Sequence, residues 1–141
     1  MKYATFNASF KLILRKNNKI LILTESTAGF LDFPGGRIEK KEIKLPIKNL
    51  FKREIIEELG EDVKYEVLGP TIQYRRYNKY TKMHSLVTAY EAKYLSGKIK
   101  LSSEHSKYEW VDPKTYNLKD KKINNDEERL AFENYFKKYE K

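Results

Sequence analysis

Residues 35–60 constrain this chain more tightly than any other stretch of it. They read Gly35-Gly36-x-x-Glu39-x-x-Glu42, a spacer, and then Arg53-Glu54-Ile55-x-Glu57-Glu58-x-Gly60. The first half is a tight glycine-rich turn following Pro34; the second is a short helix with three carboxylates within five residues. On a helical wheel Ile47, Leu50 and Phe51 mark an apolar stripe, and steps of three and four carry that stripe onto Glu54 and Glu58. Two carboxylates therefore stand where the pattern asks for buried apolar groups, and Glu57 flanks the same face one turn from Glu54. Like charges at such spacing destabilise a helix by roughly 0.2–0.5 kcal/mol per pair, and desolvation adds to the cost. A divalent cation removes both penalties. Mg²⁺ prefers carboxylate oxygens, keeps some of its waters, and completes its shell with substrate phosphates.

The helix alone leaves a plainer reading open, in which Glu54, Glu57 and Glu58 are solvated at an acidic helix end. An i, i+4 pair between Arg53 and Glu57 fits either reading. The upstream turn tips the balance. Gly35-Gly36 lets the backbone approach another group closely, so that a carbonyl there can serve as a metal ligand. Glu39 and Glu42 follow at a spacing that can tie the loop back to the helix.

These residues resemble the Nudix hydrolase family, whose pattern is Gly, five residues, Glu, seven residues, then Arg-Glu-apolar-x-Glu-Glu-x-Gly-apolar. Gly36, Glu42, Arg53, Glu54, Ile55, Glu57, Glu58 and Gly60 match it. The chain departs from it twice: Ile43 to Lys52 holds ten residues rather than seven, and Glu61 follows Gly60, with the apolar residue delayed to Val63. The extra residues are expected in the loop Ile43-Lys44-Leu45-Pro46, ahead of the helix. Beyond the box, the run from His84 to Pro113, with Gly97 and Ser103-Glu104-His105-x-x-Tyr108-x-Trp110-Val111, is similar to the downstream strands of the family. The resemblance implies an α+β fold, the α/β/α sandwich around a mixed sheet, as one domain over residues 1–141. It also implies a Mg²⁺-dependent pyrophosphohydrolase, with Mn²⁺ as a substitute, cleaving the diphosphate of a nucleoside triphosphate, nucleotide sugar or dinucleoside polyphosphate. Glu54, Glu57 and Glu58 would hold the metal with the Gly36 carbonyl, and Arg53 would orient the carboxylates. Either Glu54 or Glu104 would act on the attacking water. The alternatives are a nucleotide sensor that does not cleave, and an RNA-binding protein using its basic surface.

Composition fits these readings without choosing among them. The 141 residues suit one domain with a real core, and 40% are hydrophobic. With no cysteine, neither disulfides nor thiolate metal sites are available. No apolar run approaches a membrane span, and Met1 to Phe6 lacks the apolar block of a signal peptide, so a cytoplasmic protein with no membrane partner is expected. The net charge of +9 is read either as the mark of an anionic partner, a nucleotide or nucleic acid, or as a coding bias toward lysine dispersed along the chain. A small nucleotide is the expected partner, RNA is not favoured, and the protein is expected to be a monomer or homodimer. The densest basic cluster, Arg75-Arg76-x-x-Lys79-x-x-Lys82, is interleaved with Tyr74, Tyr77 and Tyr80. Tyr74, Tyr77 and Arg75 are accordingly the candidate substrate contacts, against a reading as packed or exposed loop residues. His84, His105 and Trp110 read as structural.

Apolar residues at even positions from Phe6 to Leu14 predict a half-buried strand. A turn at Lys16–Lys19 leads to a second strand, Ile20–Leu23, buried on both faces. A short extended piece, Phe30–Phe33, ends at Pro34. Pro46 predicts a helix start and Gly60 its end. Val63–Leu68, Thr71–Tyr77, Ser85–Tyr94 and Tyr108–Val111 read as strands, with Gly97 turning the chain into 98–101. A last helix is expected from Asn124–Glu128, with Leu130, Ala131 or Phe132, Tyr135 and Phe136 on its apolar side.

Overall fold

The computed structural model describes residues 2–138. Seven strands form one mixed sheet: β1 (Phe6–Lys16), β2 (Lys19–Glu25), β3 (Leu31–Asp32), β4 (Gly35–Arg37), β5 (Lys64–Asn78), β6 (Met83–Ser96) and β7 (His105–Val111). Two helices accompany them, α1 (Lys52–Leu59) and α2 (Asp126–Lys137). The main path runs β3-β2-β1-β6-β5, with β4 paired to β1 and β7 to β2. β1 and β6 are parallel from Phe6↔His84 to Arg15↔Lys93, whereas β5 and β6 form a long antiparallel hairpin.

β1 and β2 share only Arg15↔Ile20 and Lys16↔Lys19 before they diverge. The turn between them holds Asn17 at φ 58°, a left-handed position that Asn tolerates. Where β2 leaves, β4 takes over the edge of β1, pairing Ser9↔Arg37, Phe10↔Gly36 and Lys11↔Gly35. That substitution brings the glycine pair beside the first helix.

Side chains alternate between the faces of a strand, and here each face has its own helix. Leu12, Leu14, Leu21, Leu23 and Ala92 pack with Phe51, Ile55 and Leu59 at α1. Ile13, Ile20, Ile22, Val87 and Ala89 pack with Phe132, Tyr135 and Phe136 of α2. The α/β/α sandwich is present, and Ile20–Leu23 is buried on both faces as its unbroken apolar run predicts. β1 differs from expectation. It is central rather than half-buried, with Leu12, Ile13 and Leu14 all inaccessible, because α2 covers the face that the alternation left open.

The first helix is shorter than Pro46 and Gly60 suggest. Pro46 is extended (φ −56°, ψ 143°), a 3₁₀ turn occupies Ile47–Asn49, and the α-helical ladder begins with Ile55 N–H donating to Phe51 at 2.9 Å. The two strands expected at 63–68 and 71–77 are the single strand β5, whose register shifts on either side of Gly69-Pro70. Proline lacks an N–H for the ladder, and bulges absorb the defect without ending the strand. Residues 98–101 join no ladder; Lys100 N–H instead bonds the Leu59 carbonyl at the end of α1. On α2 the Asn125 side chain accepts from Glu128 N–H at 2.8 Å, the expected N-cap, but Leu130 points outward. No helix among the described residues is long and apolar enough to cross a membrane.

Candidate active site

Glu58 is the innermost acid of α1, 3% exposed, and its Oε2 accepts from Gly35 N–H at 2.6 Å. Burial pushes its carboxyl up to about 7 against the opposing pull of Lys11. Lys11 is itself buried on β1, and donates to the Gly35 carbonyl at 3.0 Å and to Asp32 Oδ2 at 3.2 Å. Gly36 meets the helix from the same strand: a Cβ there would lie 2.7 Å from Glu54 Oε1 and 2.8 Å from its Cδ. The absent side chain is the space that the Glu54 carboxylate occupies. Burial raises the Glu54 carboxyl as well, with Arg53 opposing.

Arg53 organises the remaining acids. Its guanidinium reaches Glu39 at 2.8 Å, Glu54 at 2.9 Å, Glu42 at 3.2 Å and Glu57 at 3.3 Å, and donates to the Arg37 carbonyl at 3.1 Å. Glu42 is 5% exposed, and its carboxyl is lowered by its hydrogen bonds from Arg53 and from Glu39 N–H. The three additional spacer residues therefore leave Glu42 in place: the chain leaves it through a turn at 43–45 with Ile43 exposed, and returns through the 3₁₀ turn at Ile47–Asn49. One guanidinium among four carboxylates, with Glu58 behind them, leaves this corner strongly anionic. Its donors are hard oxygens, and Glu54 and Glu58 are disfavoured as bare anions by burial, so the residues fit a hard divalent cation such as Mg²⁺.

On the opposite rim Glu104 is exposed, and it comes together with His105 and Glu58 so that one donor atom of each lies within 4.8 Å of the others. His105 is buried. Its Nε2 stands 3.6 Å from Asp32 Oδ2 and its Nδ1 3.9 Å from Glu58 Oε1, the latter nitrogen lacking a hydrogen-bond partner. The site thus assembles Gly36, Arg53, Glu54, Glu57, Glu58 and Glu104. It also includes Lys11 and Asp32, which the sequence did not single out, and His105, which the sequence read as structural. Lys11 had a visible signal, a cation between Phe10 and Leu12 in a strand otherwise apolar at its centre.

None of the three candidate substrate contacts offers an open ring or a free charge to the cluster, although Tyr74 lies beneath Arg76, the partner of Asp32. Tyr74 is 1% exposed and packs edge-on against Phe132, centroids 5.5 Å apart, so its ring is core and offers no face to a base. Alternation along β5 turns it toward α2. Arg75 is exposed and paired with Glu127 at 3.1 Å. Tyr77 is 55% exposed beside the His84 ring. Trp110 packs edge-on with Tyr94, as expected of a structural residue.

Comparison with solved structures places this architecture among proteins of one kind. The MutT protein from Methanosarcina mazei Go1 superposes with a TM-score of 0.74 at 22% identity, covering 100% of both chains. The MutT Nudix hydrolase from Burkholderia pseudomallei gives 0.69 at 19% identity, over 92% of this chain and 97% of that one. An ADP-ribose pyrophosphatase from Streptococcus suis gives 0.61 at 18% identity, over 91% and 89%. A comparison with curated proteins finds no match. The model of the NUDIX domain family matches residues 6–132, a span that opens at β1 and closes within α2. With that match running nearly the length of the chain, and with the box residues gathered at β4 and α1, this protein belongs to the Nudix family.

Proposed function

We propose that the chain is a Mg²⁺-dependent pyrophosphohydrolase acting on a small nucleoside diphosphate derivative. The observation that carries this reading is the packing of the Glu54 carboxylate into the space left by Gly36, with Glu58 fixed to Gly35 N–H. Helix and strand thereby hold acids at one point, at a cost that a bound cation would offset. Glu54, Glu57 and Glu58 would hold the ion. When bound, the metal neutralises phosphate charge and lowers the pKa of a bound water.

The chain's own residues do the rest. Arg53 fixes the directions of Glu54 and Glu57 and ties them to Glu42 and Glu39 in the loop. Lys11 holds the Gly35 carbonyl and so the seat of Glu58. Glu104, exposed at the rim beside Glu58, is the better placed of the two candidate bases, since Glu54 is engaged by Arg53 at 2.9 Å. It would take the proton of the water that attacks phosphorus. The kinds of protein that share the fold, MutT proteins and an ADP-ribose pyrophosphatase, support a nucleotide derivative as substrate.

The test is hydrolysis across a panel of nucleoside triphosphates, nucleotide sugars and dinucleoside polyphosphates, with and without Mg²⁺, and products resolved by chromatography. Wild type cleaves one class only with metal, and Glu57→Gln/Glu58→Gln does not cleave it. Glu104→Gln lowers kcat while metal affinity stays at the wild-type value. No cleavage of any class, with nucleotide binding retained, would replace this reading by a sensor.

A further inference from the structure

The sheet carries a second surface at the β5–β6 turn. Tyr77 pairs with His84 across β5 and β6, and His84 with Phe6 across β6 and β1, so three ring-bearing residues stand side by side on neighbouring strands. The rings meet, with centroids 4.8 Å apart for Tyr77 and His84 and 6.2 Å for Phe6 and His84. Alternation puts them on the α1 side of the sheet, in line with Phe10 and Tyr90, which Phe51 covers. Beyond Phe51 the rings are open: Tyr77 is 55% exposed, Phe6 38%, and His84 is exposed too. Tyr80, at the turn itself, is 86% exposed.

The strand segments that carry them bring only positive charge. Neither residues 1–24 nor residues 67–90 contain a single Asp or Glu, while the second stretch carries Arg75, Arg76, Lys79 and Lys82. Arg76 turns inward to Asp32 and Glu128, and Arg75 shares its charge with Glu127. Lys79 lies over the Tyr80 ring at 5.4 Å. Lys82 closes the turn at φ 56°. Open aromatic faces bordered by cations suit a ligand with flat rings and regularly spaced negative charge.

We infer that this face binds single-stranded nucleic acid, with bases stacking on Tyr77, His84 and Phe6 and phosphates meeting Lys79, Lys82 and Arg75. Stacking of this kind tolerates any base, and the phosphate contacts make it salt-dependent. The platform is separate from the carboxylates: Phe6 lies four residues before Phe10, the partner of Gly36, or roughly 13 Å along β1.

The test is fluorescence anisotropy with labelled single-stranded RNA and DNA of about ten nucleotides, in chelator without Mg²⁺. Because nothing is cleaved under those conditions, its outcome is independent of the hydrolase reading. Wild type binds at low salt. Tyr77→Ala weakens binding by roughly 5- to 100-fold, and Tyr77→Phe restores it. Lys79→Gln/Lys82→Gln reduces the slope of log affinity against log salt by roughly 1.4, the share of two phosphates on a single strand. Thermal midpoints equal to wild type certify that each variant is folded. Stronger binding of RNA than DNA would assign contacts to the 2′-hydroxyl; equal binding assigns them to base and phosphate, and both support the platform. No binding of either strand overturns it. So does affinity that follows the lysines but ignores Tyr77, which marks a diffuse basic surface instead.

Discussion

Two adjacent glycines serve the site in different ways, and single substitutions separate them. Gly35 sits at φ +133°, and a Cβ there would overlap the Phe10 carbonyl oxygen and lie 2.8 Å from Lys11 Cα. Both obstacles are backbone of the paired strand, which cannot move without breaking the β1–β4 ladder. Gly36 is at no such φ, and its added Cβ would meet only the Glu54 carboxylate, the far end of a flexible side chain. Gly35→Ala is therefore expected to cost about 1–3 kcal/mol or more of stability, as strained backbone does. Gly36→Ala is expected to stay within about 0.5 kcal/mol of wild type. Its effect falls on the ion, with affinity reduced roughly 10- to 100-fold, the usual consequence of disturbing how a ligand is held. Urea unfolding measures the first effect and Mn²⁺ titration the second; equal stability losses would show that the cradle does not serve Glu54. The need for a close approach at this pair was legible in the sequence, because Gly-Gly beside an acidic helix has few other uses. That the pair forms a strand was not, since its partner, Ser9–Lys11, lies on a remote strand and contributes no local signal. Asp32 stayed hidden for the same reason, and His105 was read only as structural: each is unremarkable in its own segment, and only the fold brings them together beside Glu58.

At the scale of elements, what local chemistry sets could be read, and what tertiary pairing sets could not. The cap at Asn125, the strand from Ile20 and the stop at Gly60 follow from residue type and spacing. The start of α1 does not, because Pro46 admits a 3₁₀ turn as readily as an α-helix. The docking of α2 is similarly a tertiary matter. Glu128 has no exposed side chain, and it is paired with Arg76 of β5 and bonded by Asn124 Nδ2 at 3.3 Å. From the sequence, Glu128 was one more acid at a helix start, and Arg76 one more cation in a basic run. Removing one partner strands the other in the interior, so Arg76→Met and Glu128→Gln should each destabilise by about 3–5 kcal/mol. The double variant should recover part of that loss, with a coupling of about 0.5–3 kcal/mol. Equilibrium unfolding of the four proteins measures it. Strict additivity would show that the pair does not fasten α2 to the sheet.

Across the whole molecule, the two apolar cores on opposite faces of the sheet are crossed by one polar seam. It runs from Glu128 of α2 through Arg76 and Asp32 to Lys11 and the seat of Glu58. Asp32 stands at its centre, in ion pairs with Lys11 and Arg76, each at 3.2 Å. Burial alone would raise its carboxyl, but Lys11 and Arg76 outweigh that and hold it well below the usual carboxylate range. A depressed folded pKa means that the unfolded chain binds the proton more readily, so the stability Asp32 supplies is complete above its unfolded value of about 3.9. It is lost only as pH falls from there through the folded value. The difference in unfolding free energy between wild type and Asp32→Asn should thus be constant from neutral pH down to about 4 and shrink below that. Urea denaturation at stepped pH measures the difference directly. A gap that instead stayed constant well below pH 4 would mean that Asp32 titrates as an ordinary carboxyl, not held down by Lys11 and Arg76.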